Sequence, residues 1–214
     1  KKINTFWKWF TQNETQIIKA LISDYEEETM TTLNQKLSRV STRIGFFYEL
    51  QNTNPIKLKL TISSKGYSKL FPKIDALVQL APKLERWEFQ ALVQPVTDTT
   101  KYKLEIDVPY DYRGIILKIS EMYFTLLEIN PLYKTMKIKV YLNHYYIFKN
   151  DPHCYEAVEM CIMDITGEVY YKRHISDFEI AQMPNSPKKV TPLYELLETV
   201  ETLRNLNKRT KFVI

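Results

Sequence analysis

Four residues in the second half of the chain have the chemical types that bind metal: His144, His153, Cys154 and Cys161. A structural zinc site needs four ligands converging on one point, most often supplied as tightly spaced pairs. Here Cys154, Val158, Cys161 and Ile165 fall along one face of a helical pattern, so both thiols read as core, and His153 reads as part of the helix start beside Pro152. No metal is assigned. Cys154 lies near the start of that helix, where a thiolate is favoured, but no Asn or Asp can be assigned to orient a histidine beside it. The seven-residue spacing separates the sulfurs by about 10 Å along a helix, too far for a disulfide. Both cysteines are therefore expected as reduced thiols of a reducing, cytoplasmic compartment.

Two groups of carboxylates offer acid–base chemistry. Asp24, Glu26, Glu27 and Glu28 gather at a helix start, where negative charge complements the helix dipole and needs no metal. Glu105, Asp107 and Asp111 have the types for paired proton transfer, but they fall in a connection with no histidine near in sequence. They support only a third reading, a hydrolase with an unrecognised carboxylate/His site. Glycine occurs only at positions 45, 66, 114 and 167, which excludes the clustered glycines of phosphate-cradling loops. No catalytic residue and no cofactor is assigned.

The strongest binding signal is a Lys-apolar-Lys pattern written twice: Ile-Lys-Leu-Lys-Leu-Thr-Ile over 56–62 and Met-Lys-Ile-Lys-Val-Tyr-Leu over 136–142. If the two sheets join, Lys57, Lys59, Lys137 and Lys139 share one exposed face, with Tyr48, Tyr123 and Tyr141 nearby. Lysines among exposed rings suit a single-stranded nucleic acid, phosphate meeting lysine and base meeting ring. The same lysines also mark the solvent side of a half-buried strand or guard an edge. Tyrosine concentrates between Tyr133 and Tyr171, Tyr145 and Tyr146 among them. Each buried hydroxyl needs a partner, and tyrosine is favoured at protein interfaces. A net charge of +5 falls short of a dedicated nucleic-acid binder.

Elements that would position these groups emerge from periodicity. Helical spacing covers residues 5–22, with Phe6, Trp9, Phe10, Ile17 and Leu21 inward and a restart allowed at Asn13, then a second helix from Ser23 to about Val40. The period changes to two over Ile44–Leu50 and Lys57–Ile62, followed by a helix over 67–81 with Pro72 in its first turn and a closing strand Trp87–Val96. Residues 97–113 connect the halves, with a short strand at Leu104–Val108. The second half repeats the order: strands at Tyr123–Ile129 and Met136–Leu142, a helix at Pro152–Ile165 stopped by Gly167, and a strand near Ile175–Met183. Pro192 opens a last helix, and the tail 207–214 is basic and then apolar. The expected fold is α+β: two ββαβ, ferredoxin-related units with antiparallel sheets, plus N-terminal helices and a C-terminal helix. The boundaries are 1–97 and 98–214, in one compact structural unit. No window reaches the roughly 18–20 apolar residues of a membrane span, so no membrane partner is expected. The chain begins at Lys1 rather than Met, which leaves room for residues upstream.

Short motifs carry a resemblance: Phe6-Trp7-Lys8-Trp9-Phe10, Phe71-Pro72-Lys73-Ile74, Ala81-Pro82-Lys83, Trp87-Glu88-Phe89 and Thr166-Gly167-Glu168. Together they resemble an uncharacterised bacterial family of the Bacteroidetes type and, loosely, domains similar to regulator of ribonuclease E activity B. The resemblance covers most of the chain and implies a cytoplasmic, ferredoxin-related α+β protein. It brings no catalytic residues with it. The leading expectation is a non-enzymatic binding or regulatory module for a protein partner, with RNA or single-stranded nucleic acid as the alternative. Its candidate binding surface is Lys57, Lys59, Lys137, Lys139, Tyr48, Tyr123, Tyr141, Tyr145 and Tyr146. The sequence leaves the oligomeric state open.

Overall fold

A computed structural model describes residues 1–23, 26–185 and 189–205. The chain divides into two compact units, Lys1–Val93 and Gln94–Ile214. The class is mixed α and β.

The first unit opens with helices α1 (Lys2–Leu21) and α2 (Glu26–Ser38). Phe6, Trp7, Phe10, Ile17, Ile18 and Leu21 recur three and four apart and form the buried stripe of α1. Trp7 is inward, while Trp9, expected there, is only half-buried. The helix does not restart at Asn13, because the Asn13 amide donates back to the Trp9 carbonyl at 2.8 Å and the helix runs on. Asp24 lies outside the described residues. Strands β1 (Gly45–Gln51) and β2 (Lys57–Ser63) form an antiparallel hairpin, and α3 (Phe71–Gln79) leads to β3 (Trp87–Ala91), parallel to β2. Leu58, Leu60 and Ile62 are fully buried on one face of β2. Trp87 and Phe89 pair with Leu58 and Leu60 on that face, and the Phe10 ring meets both aromatics edge-on.

The second unit carries a short helix α4 (Thr100–Lys103), a hairpin of β4 (Tyr110–Tyr112) and β5 (Ile115–Leu117), and the long hairpin of β6 (Tyr123–Asn130) and β7 (Thr135–Leu142). Helices α5 (Tyr145–Phe148), α6 (Cys154–Thr166) and α7 (Glu168–His174) come next. The unit ends with β8 (Ile175–Gln182), β9 (Thr191–Pro192) and α8 (Leu196–Asn205). The sheet order is β8-β7-β6-β9, with β8 parallel to β7. Met136, Ile138, Val140 and Leu142 line its buried face against α6 and α8, in one core with Cys154 and Cys161.

Several expectations are corrected. Both main sheets are mixed rather than antiparallel, since a strand reached through a helical crossover returns in the direction of its neighbour. The closing strand of the first unit stops at Ala91, because Leu92 takes φ +60° and turns the chain out of the ladder. Leu104–Val108 is no strand: a helical turn ends there, Glu105 takes φ +56°, and the pairing falls instead to β4 and β5. Helix α7 is an addition to the expected elements; Gly167 stops α6 at φ +74° and the chain turns directly into a second helix.

The packing makes two stability differences measurable. Trp7 Nε1 donates to the Leu77 carbonyl at 2.8 Å, one of the last carbonyls of α3, which lack a donor within the helix. Trp87 Nε1 is buried without a partner among the described residues. Trp7→Phe is therefore expected to cost about 1 kcal/mol more than Trp87→Phe in denaturant melts, the worth of one buried hydrogen bond. At Gly167 an added Cβ would stand 2.7 Å from the Pro95 nitrogen, on backbone already at positive φ. Gly167→Ala should lower stability by more than about 1 kcal/mol in the same assay.

Candidate interaction surfaces

The pleat separates the predicted site residues before any chemistry acts. Lys57 and Lys59 stand on β2 and Lys137 and Lys139 on β7, in two different sheets. Tyr48 pairs with Leu60, so it lies on the apolar face, opposite Lys59. Its hydroxyl bonds the Glu26 carboxylate, and burial, followed by that bond, pushes the phenol up to about 12. Tyr123 and Tyr141 do face the same way as Lys137 and Lys139: they pair with each other across the hairpin, and the Tyr141 hydroxyl lies 3.3 Å from that of Thr125. Tyr145 and Tyr146 sit past the end of β7 in α5, with the Tyr146 amide donating to Gln182 Oε1 at 3.2 Å.

The lysines are matched by carboxylates on the parallel neighbour strand. Lys59 pairs in register with Glu88, with Nζ 3.9 Å from its carboxylate. Lys137 Nζ lies 3.3 Å from Asp177 and 3.0 Å from Glu179, and Lys139 Nζ is 3.2 Å from Glu179. The bond from Lys137, followed by that from Lys139, holds the Glu179 carboxyl below its ordinary value, and Glu179 in turn raises Lys137. Of the four, Lys57 alone is exposed and without such a partner among the described residues; it pairs with Gln51. A phosphate approaching Lys59 on one sheet, or Lys137 and Lys139 on the other, would have to displace carboxylates already in place.

The metal-type residues are placed by packing. Cys154 and Cys161 are free thiols buried in the core, and burial raises both; Asp151 adds to the effect at Cys154 and disfavours the thiolate that the helix start would otherwise promote. His153 lies beside Glu156 at 3.6 Å, with the Tyr112 ring edge-on to it, and His144 is exposed beside Tyr146. Among the described residues no three His, Cys, Asp or Glu side chains are grouped to hold a metal. No described helix is long and apolar enough to cross a membrane.

The carboxylates of the connection have separate structural work. Asp111 Oδ1 accepts from the Gly114 amide at 2.9 Å and shapes the β4–β5 turn. Asp107 is buried, and its Oδ2 accepts from the Ser120 amide at 3.1 Å. Lys118 Nζ donates to the Glu105 carbonyl at 2.7 Å. These two anchors hold the segment so that Asp107 points in and its neighbours point out: Leu104 is 62 %, Ile106 69 % and Val108 87 % exposed. Ile116 is exposed on β5, beside a hollow of about 40 Å³ lined by Lys118, Met122, His144 and Phe148. That volume is far below the roughly 300–1,000 Å³ of a small-molecule site. In the sequence this segment reads only as a short strand, Leu104–Val108, which does not mark it as an exposed strip.

No family model, no curated protein and no solved structure matches this chain.

Glu179 titrates below its ordinary value of 4.5 when folded. Its pairing therefore supports the fold above pH 4.5 and is lost as pH falls through the lower, folded value. In the double variant Lys137→Met/Lys139→Met, the NMR titration midpoint of Glu179 should move up towards 4.5. An unmoved midpoint would show that these ion pairs do not hold in solution.

Proposed function

We propose that this chain is a non-enzymatic binding or regulatory module that recognises another protein. The observation that carries this reading is the strip Leu104, Ile106 and Val108, held in water by the inward Asp107 and by Lys118 on the Glu105 carbonyl. Large apolar side chains gathered in the open mark interaction surfaces, and fixing them before contact lowers the entropy cost of binding. Ile116, exposed on β5, is a further open apolar side chain of the same unit.

The neutralised lysines favour this reading over single-stranded nucleic-acid binding on the sheet face. Backbone binding draws on cations free to release counterions, and Lys59, Lys137 and Lys139 already face carboxylates. The hydrolase reading finds Asp107 and Asp111 each engaged by a backbone amide. We further read the matching order of hairpin, helix and parallel strand as a duplicated, ferredoxin-related ββαβ module. A cytoplasmic setting and kinship with the domains that resemble regulator of ribonuclease E activity B belong to the same proposal.

A photo-crosslinking amino acid placed at Val108 of the full chain, in native lysate, should give one discrete adduct that Ile106→Asp abolishes. The same residue placed at exposed Lys8 serves as control. Adducts no stronger than those from Lys8 would overturn the reading.

A further inference from the structure

The compensated lysines of the sheets contrast with cations that have no such compensation. At the turn between β6 and β7, Lys134 reaches the last turn of α8, its ammonium donating to the Arg204 carbonyl. Arg204 lays its guanidinium over the Tyr170 ring, 4.3 Å from the centroid, and donates to the Tyr170 hydroxyl. His174, at the end of α7, stands edge-on to the same ring and lies 2.7 Å from the Lys134 carbonyl, so its Nδ1 carries the proton and donates. Arg173 and Lys172 are exposed in the same last turn of α7. Burial, then Arg204, Arg173 and Lys134, depress His174, which places those three charges around it. None of Lys134, Lys172, Arg173 or Arg204 makes an ion pair with a carboxylate among the described residues.

Beside this positive cluster the turn displays apolar side chains. Asn130 Oδ1 accepts from the amides of Leu132 and Tyr133, both at 3.2 Å, and so fixes the turn. Leu132 is 68 % and Tyr133 72 % exposed. Arg and Tyr are enriched at the centres of protein interfaces. A nucleic acid would want successive open rings, whereas the Tyr170 face is already covered by Arg204 and Leu132 offers no stacking surface.

We propose that this end of the second unit, formed by Lys134, Arg173 and Arg204 with Leu132 and Tyr133, is a second docking surface, and that its occupant is an acidic peptide segment carrying an apolar residue. Carboxylates of the segment meet the unpaired cations, and its apolar residue covers Leu132. This surface is separate from the strip at Leu104–Val108 and stands or falls without it.

The test uses the full chain and a fluorescein-labelled peptide of alternating Glu and Leu pairs, read by anisotropy, with oligo-dT as the competing probe. The peptide should bind, more weakly at higher salt. Arg173→Glu, at an exposed side chain, should weaken it about tenfold or more, as reversing a charge at such a contact does, and Leu132→Ser should weaken it independently. Unchanged melting curves would show that both variants fold. Absence of peptide binding, binding indifferent to both variants, or tighter capture of oligo-dT through Arg173 would overturn the proposal. A crosslink at Val108 alongside any of these would leave the protein-recognition reading intact.

Discussion

The fold rests on two central strands, β2 and β7, each carrying a buried apolar row on one face and paired on both edges; in β2 the lysine face is buried too from Thr61 on. Because successive side chains of a strand point to opposite faces, burying Leu58, Leu60 and Ile62, or Met136, Ile138 and Val140, sends the intervening lysines to the other side. The parallel neighbours then supply acids at the matching positions. Lys59 and Leu60 face Glu88 and Phe89, while Lys137 and Ile138 face Asp177 and Phe178. One register thus sets core packing and surface charge together, and a slip of one residue would reverse both.

That constraint decides which surfaces remain available. A sheet face whose cations meet carboxylates on the next strand is close to neutral and offers little to a polyanion. Unsatisfied chemistry collects where chain ends and connections leave the ladders. The segment around Asp107 holds apolar groups outward because a buried carboxylate turns inward to the Ser120 amide. The β6–β7 turn gathers cations from the last turns of α7 and α8.

Much of the architecture is readable from periodicity, and the misreadings share a cause. The segment Leu104–Val108 reads as a short strand. It becomes an outward strip because Glu105 adopts positive φ and Asp107 finds a backbone donor, neither of which leaves a mark in residue type. Tyr48 looks like a companion of the sheet lysines, but its pairing with Leu60 places it on the core side, with its hydroxyl on Glu26. Helix α7 stays hidden because Gly167 signals the end of one helix without signalling the start of another. The candidate surface is less legible than the fold, since sites depend on pairs of residues distant in the chain.

By itself the sequence determined the α+β class, the two Lys-apolar-Lys strands with the apolar set Leu58, Leu60 and Ile62 of the first, the helical core thiols and the stop at Gly167. These depend on patterns local to a few turns or a few residues of strand. Only the tertiary structure decided that the lysines are neutralised, that a buried aspartate holds an apolar strip in solvent, and that Lys134, Arg173 and Arg204 meet around His174. Those outcomes depend on which carboxylate, amide or ring stands opposite at long sequence separation, and that information exists only once the chain has closed on itself.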